Sequence, residues 1–379
     1  MHMEDSGVEK MKILVSGGGT GGHIYPALAL IRGLKKKYFH LETLYVGTEE
    51  GLESSIVPKA GILFKTIKIS GFRRRISFEN VKTVARFLSA YQKAKKYLKE
   101  FQPDVVIGTG GYVSGPVLFA AARLKIPTVI HEQNSVPGIT NIFLSKFVTK
   151  VAISFEAVSE YFPKEKLYFT GNPRASEVVR NSKGISKKRF GFQENKKLVV
   201  ISGGSRGARP INDAVRMYIQ LSDILDYEVL YITGDVHYDR VMEQLKNMQI
   251  PKGFKLVPYM AEMQELLTVT DLIVNRAGAT TLAEITALGL PSILIPSPHV
   301  TNNHQEKNAR VLEEHGACKV ILESELTGEK LKQAIESLLQ DEDELKRMSE
   351  GSFTLGVRDS IERFDMLIQE IKNNRGCGG

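Results

Sequence analysis

His23 closes a run of glycines. Between Ile13 and Leu34 the chain reads ILVSGGGTGGHIYPALALIRGL, an apolar strand, a glycine turn and a helical pattern. Missing side chains let backbone N–H groups approach an anion, and the start of the next helix favours negative charge. An imidazole there, titrating near neutrality, suits a general base or a cation for phosphate, while helix capping is the plainer use. Gly17, Gly19 and Gly22 match G-x-G-x-x-G, the dinucleotide fingerprint. A tight strand-to-helix turn gives the same spacing. A dinucleotide site also wants an acid closing the second strand. Glu49 and Glu50 stand near that point, somewhat late, and leave the test open.

Two further loops weigh against a single dinucleotide. GTGGYVSGP runs from Gly108 to Pro116, and GGSRGAR from Gly203 to Arg209. Each follows an apolar strand. Three glycine loops suit a cleft that takes a diphosphate from each side.

The elements that must position these loops alternate along the chain. Strands are expected at KILVSG, TLYVG, DVVIGTGG, PTVIHEQN and KVAIS, with amphipathic segments between them. The pattern pauses at TGNPRASEVVRNSKG. It restarts with KLVVISGGSRGARPIN, followed by strands at YEVLYITG, FKLVPYM, DLIVNRAG and PSILIP. This alternation predicts an α/β protein of two doubly wound, Rossmann-like domains with parallel sheets facing a cleft. The first is expected over 11–171 and the second over 172–356, with a last helix at about 357–372. The 379 residues suffice for two cores. Hydrophobic residues at 42% and charged residues at 25% are ordinary for a soluble protein. A net charge of +8 suits an anionic partner. Two cysteines, Cys318 and Cys377, provide no disulfide framework. MHMEDSGVEKMK reads as a disordered leader without the apolar core of a secretory signal.

GGGTGGHIYPALAL, GTGGYVSGP, HEQN, GNP, GGSRGAR, NRAGATTLAEITALGLPSILIP and HQEKNA follow in this order from about Met11 to about Lys372. The set closely resembles glycosyltransferase family 28, a family of GT-B architecture whose C-terminal helix returns to the first domain. The resemblance implies inverting, metal-independent transfer without a cofactor. The donor would be UDP-N-acetylglucosamine. The acceptor would be the 4-hydroxyl of the muramoyl sugar in undecaprenyl-diphospho-N-acetylmuramoyl-pentapeptide. The setting would be peptidoglycan synthesis at the cytoplasmic face of the bacterial membrane, with other cell-wall proteins as partners.

The same resemblance assigns residues. His23 would be catalytic. Gly18, Gly19, Gly110, Gly111 and Tyr112 would hold the acceptor. Asn134 lies on the acceptor-side strand end and is counted, with Thr20, Gly21 and Gly22, among the donor contacts. Ser205, Arg206, Ala279, Thr280 and Thr281 would meet the donor diphosphate. Glu284 would take the ribose hydroxyls, for which an exposed first-turn acid is the alternative. Gln305 would read the donor sugar. Two departures stand out: Thr280 replaces a bulkier apolar residue, and Arg174, a further candidate donor contact, follows Pro173 directly where an apolar residue usually intervenes. His131 and Asn308 read as structural.

Other signals are weaker. Asp341, Glu342 and Asp343 spell a metal-binding acid pair but lie in a charged helical stretch. His299, His304, His315 and Cys318 match no closed zinc spacing. FRRR lacks the aromatic platform of a nucleic-acid site. From Arg73 to Lys99 nine cations accompany one glutamate. Val81, Val84, Ala85, Phe87, Leu88 and Tyr91 form a wide stripe, of which Val81, Ala85 and Leu88 are expected to face the core. Arg73, Arg74, Arg75, Ile76, Phe78 and Phe87 are left as a patch for anionic lipid. A UDP-N-acetylglucosamine 2-epimerase of the same fold and a non-catalytic nucleotide-sugar-binding partner are the competing readings.

Overall fold

The computed structural model describes residues 10–70, 78–204, 206–222 and 224–376, with side chains at 78–83, 375 and 376 outside that description. The chain forms two compact units. One runs to Glu177 and takes back the chain from Asp359; the other spans Val178–Arg358.

The first unit holds a seven-stranded sheet. Its strands are β1 Met11–Gly17, β2 Leu41–Gly47, β3 Leu63–Thr66, β4 Val105–Gly110, β5 Thr128–Glu132, β6 Lys150–Ile153 and β7 Leu167–Phe169. Their spatial order is β3-β2-β1-β4-β5-β6-β7, and every pairing is parallel. The second unit holds β8 Leu198–Ser202, β9 Glu228–Ile232, β10 Phe254–Val257, β11 Leu272–Asn275, β12 Ser292–Leu294 and β13 Cys318–Val320. Their order, β10-β9-β8-β11-β12-β13, is again parallel throughout. Both sheets are therefore doubly wound.

The central strands are buried on both faces, which is why they read as unbroken apolar runs. Three strands escaped the sequence pattern: β3, β7 and β13. Each lies at the edge of its sheet and keeps half-exposed residues. An edge strand packs on fewer neighbours and so needs less apolar sequence.

The helix Phe78–Phe101 corrects one expectation. Ala90, Ala94 and Leu98 face the core, with Tyr91 and Phe101 packed beside them. Ala85 and Leu88 do not; both are exposed, Leu88 by 59%. Two alanines let this helix pack closely on the helix Ser114–Arg123 and swing the bulkier apolar residues outward.

The last helix, Ser360–Gly376, joins the first unit. Phe364, Leu367, Ile368 and Ile371 enter its core beside Ile24 and Leu28. Buried Asp365 accepts hydrogen bonds from Lys37 and Tyr38 at the end of the helix Gly21–Lys37.

Candidate functional site

In each sheet the strand order reverses between its two central strands, and open α/β sheets bind ligands beyond the carboxyl ends at that point. In the first unit the reversal lies between β1 and β4, so the Gly18–His23 and Gly110–Tyr112 loops stand together. In the second it lies between β8 and β11, pairing the Gly203–Gly207 loop with the segment from Gly278 to Glu284.

The helices that follow share a second property. Those starting at Gly21, Ser114, Arg209 and Ala279 have no side-chain cap bond and no acidic residue in the first turn. At Gly21 and Ala279 the first N–H groups and the positive dipole end are left for an anion, whereas at Ser114 the first two N–H groups donate to the Gly111 and Tyr112 carbonyls at 3.3 Å. A missing side-chain cap is common in this chain, as at Glu53, Ile139 and Tyr238, but two later helices do have one. Thr327 accepts from the Lys330 N–H, and Asp341 from that of Glu344. The DED stretch is therefore a helix start, with Asp341 as its cap.

His23 sits at the heart of the first-unit loops. Its Nδ1 lies 2.9 Å from the Gly18 carbonyl oxygen. A carbonyl can only accept, so Nδ1 carries the proton and Nε2 keeps its lone pair. The Nε2 edge lies against Gly110, where a Cβ would come within 2.8 Å of it. Gly110 also has φ 110°, so glycine is required twice over. Thr109 Oγ1 donates to the His23 carbonyl at 2.8 Å, and Gln133 Nε2 to the Thr109 carbonyl at 2.7 Å. Ser114 Oγ lies 2.9 Å from the carbonyls of both Ser16 and Gly110. Tyr112 is 60% exposed at the rim.

Two of the expected acceptor contacts are already engaged. The Gly18 N–H donates to the Gly110 carbonyl at 3.2 Å, and the Gly19 N–H to Glu53 Oε2 at 3.0 Å. The anion-facing groups are instead those of the helix start, at Gly21 and Gly22. Asn134 is held by Glu132, whose Oε1 accepts from its backbone and side-chain nitrogens at 3.1 and 3.3 Å. His131 is fully buried beneath. Its Nε2 lies 3.1 Å from the Gly171 carbonyl and therefore bears the proton. Burial drives its pKa down to about 3, so it is a neutral structural group.

Of the second-unit candidates Gln305 lines a pocket of about 460 Å³; Arg206, Ala279, Thr280, Thr281 and Glu284 do not. Gln305, Ser297, Arg276 and Gly207 line it. Gln305 Oε1 accepts the Ser297 N–H at 2.9 Å, which turns the amide NH2 outward. Arg276 donates to the Ile295 carbonyl at 3.0 Å and pairs with Glu323, tying the ends of β11 and β12 to the chain after β13. Ala279 is buried, and the buried Thr280 Oγ1 has no hydrogen-bond partner among the described residues. Thr281 is half-buried beside it. Glu284 lies beyond the first turn of the helix Ala279–Leu288 and is only 6% exposed, so the exposed-acid alternative falls away. Asn308 donates to the Ala277 carbonyl at 3.3 Å from a fully buried position. Arg206 is exposed in its loop; Ser205 lies outside the described residues.

Arg174 belongs to the first unit. Its guanidinium pairs with Glu177 at 2.7 Å and lies over the Tyr25 ring. His304 and His315 bond carbonyls of their own segments, and Cys318 is buried with its thiol pushed up to about 12. Among the described residues no three His, Cys, Asp or Glu gather as metal ligands.

Arg73, Arg74, Arg75 and Ile76, with the side chain of Phe78, lie outside the described residues. Phe87 is half-buried against Phe119, at 6.3 Å between ring centroids. Phe119 also meets Tyr91, Phe143 and Phe147. Around this aromatic cluster Val84, Leu88, Ile139, Ile142, Phe143 and Phe147 are exposed. Sequence reading missed the part beyond residue 91, because NIFLSKF resembles an ordinary amphipathic turn. It also missed Glu53, which lies in no glycine motif.

Residues 13–153 match the glycosyltransferase family 28 N-terminal domain, and 198–364 its C-terminal domain. A Bacillus subtilis (strain 168) UDP-N-acetylglucosamine--N-acetylmuramyl-(pentapeptide) pyrophosphoryl-undecaprenol N-acetylglucosamine transferase is 56% identical over 365 residues, 96% of this chain and 100% of that protein. The enzyme of the same name from Halalkalibacterium halodurans is 56% identical over 95% of this chain and 99% of its own. The crystal structure of Acinetobacter baumannii MurG superposes with a TM-score of 0.75 at 26% identity, covering 95% and 99% of the two chains. UDP-GlcNAc 2-epimerase from Neisseria meningitidis shares the fold, with a TM-score of 0.66 over 95% and 100% of the chains, but only 13% identity. Matched in both of its domains, and at high identity over nearly all its length, this chain belongs to glycosyltransferase family 28.

Proposed function

We propose that this enzyme transfers N-acetylglucosamine from UDP-N-acetylglucosamine to the muramoyl sugar of undecaprenyl-diphospho-N-acetylmuramoyl-pentapeptide. The observation that carries the reading is a pair of loops at each of two switch points, each pair with a helix start whose N–H groups are open, at Gly21 and at Ala279, the first beside a histidine whose Nε2 keeps its lone pair. Each pair suits a diphosphate, and this reaction brings two: one in the donor, one in the lipid acceptor.

The chemistry follows from the groups present. Nε2 of His23 takes the proton of the attacking 4-hydroxyl as its oxygen bonds the anomeric carbon from the face opposite UDP. The bond to the UDP oxygen breaks and the carbon inverts. Charge growing on the departing diphosphate is met by the N–H groups at Ala279 and Thr280. Glu284 takes the ribose hydroxyls, and the Gln305 amide reads the sugar. No step calls for a metal.

The exposed apolar residues around Phe119 support docking of the first unit on a lipid surface, as the cation-rich sequence from Arg73 does. No described helix is long and apolar enough to cross a membrane. We place the enzyme as a peripheral protein on the cytoplasmic face of the cell membrane, where its lipid acceptor is reached.

UDP release with purified lipid acceptor tests the reading. UDP and the disaccharide lipid should appear together, only when acceptor is present, and equally in EDTA. Conversion of the donor without acceptor would establish the epimerase instead; binding without turnover would establish a non-catalytic partner. Anionic vesicles should speed transfer to the full-length lipid. That gain should vanish when Phe143 and Phe147 are both replaced by aspartate.

A further inference from the structure

Glu53 is the first residue of the short helix Glu53–Lys59, yet its side chain is 0% exposed. It turns back beneath the glycine loop. Oε2 accepts the Gly19 N–H at 3.0 Å; Oε1 accepts the Thr48 N–H at 3.0 Å and its hydroxyl at 2.7 Å. No ion pair to it is found among the described residues, so N–H and O–H donors hold the charge. Burial pushes the carboxyl up, but the bonds from Thr48 and Gly19 outweigh it and hold it below the usual carboxylate range.

The surrounding sequence is shaped to this carboxylate. A Cβ on Gly18 or Gly51 would lie 2.3 Å from its oxygens. Glu53 also answers the question raised by the fingerprint. In a dinucleotide-binding unit the acid after the second strand meets a ribose. Here the acid after β2 is consumed by the glycine loop itself, and Glu49 sits outside, bonded to Thr66 at 3.3 Å. The first unit therefore has the glycines of a dinucleotide site without its ribose acceptor.

We propose that Glu53 is the positioning residue of the acceptor site: by clamping Gly19 to Thr48 it fixes the loop whose carbonyl at Gly18 orients His23 and whose end presents Gly21 and Gly22. The chain of contacts runs from Glu53 to Gly19, through Gly18 to His23 Nδ1, each at about hydrogen-bond length. A loop freed from this clamp loses both the ring orientation and the register of the helix start. The identity of the acceptor rests on the transferase reading; the clamp itself does not.

The test uses the full-length enzyme with Glu53→Gln, whose amide can accept from one N–H but turns a donor towards the other. Amide hydrogen exchange across residues 17–22 should become faster, while UDP-N-acetylglucosamine affinity, a property of the second unit, stays within about twofold. Acceptor kcat/KM should fall on the order of 10- to 100-fold, the usual scale for misplaced catalytic groups. Should Glu53→Gln not fold, Thr48→Val removes one of the three donors to Glu53, together with the acceptor of the Gly51 N–H, and should shift the same readouts by less. Unchanged exchange overturns the clamp whether or not transfer is detected. Faster exchange with unchanged acceptor kinetics overturns its role in the reaction. Failure of the wild-type enzyme to transfer would fault the transferase reading and leave the exchange result to judge the clamp.

Discussion

The two sheets have the same strand order and place glycine loops at the same two points, but they hold those loops differently. In the first unit polar side chains do it: His23, Glu53, Thr109, Ser114 and Gln133 all bond loop backbone. In the second the crowding is mostly main chain. A Cβ on Gly207 would meet the Thr233 carbonyl oxygen at 2.0 Å, and one on Gly203 the Ala208 nitrogen at 2.3 Å. A loop held by side chains is fixed before substrate arrives, which suits a base that must sit within hydrogen-bond reach of its proton. The second unit keeps an open pocket for the ligand to fill.

If that division of labour is right, substitutions should separate chemistry from donor binding. The largest effect is expected of His23→Ala, which should lower turnover by roughly 100-fold or more. Donor affinity, measured by titration calorimetry, should barely move. Turnover near the wild-type value would make His23 a loop brace and place the base elsewhere.

Glu284→Ala should do the reverse. Losing a charge-assisted bond costs about 1.5–3 kcal/mol, so donor affinity should weaken by about one to two powers of ten. Acceptor KM should be unaffected. An unchanged donor affinity in the folded variant would remove Glu284 from the ribose.

The smallest effect is on stability, and it should be confined to the first unit. His131 is buried with a pKa near 3 against the ordinary 6.5. Protonation therefore favours the unfolded chain. The contribution of neutral His131 is intact above about pH 6.5 and is lost as the pH falls towards 3, at about 1.4 kcal/mol per pH unit. Denaturant unfolding from pH 7 to 5 should show this slope, and His131→Gln should flatten it. A slope that survives the substitution would trace to other groups.

The aromatic surface shows how far pattern reading reaches. A stripe on the helix Phe78–Phe101 suggested an excess of apolar residues, and one existed, but its members changed. Leu88 moved from the expected core to the surface, because Ala90 and Ala94 took the inner face. Phe119, Phe143 and Phe147 joined Phe87 from two other segments. Helical periodicity locates an apolar face; it does not say which of two adjacent stripes meets the sheet.

What the sequence alone determined was local. Buried central strands announce themselves as apolar runs, and glycine loops as breaks between a strand and a helix, because both follow from neighbouring residues. The family motifs added the roles proposed for His23, Glu284 and Gln305. Tertiary structure decided the rest. Edge strands β3, β7 and β13 exist because a neighbouring strand offers its hydrogen bonds, whatever their own hydrophobicity. The strand order brought Gly18 beside Gly110, about ninety residues on, and made one site of two motifs. Glu53, one acid among several in TEEGLE, became the buried one because only its position after β2 reaches beneath the Gly19 N–H. Contacts between distant segments depend on packing that no single stretch encodes.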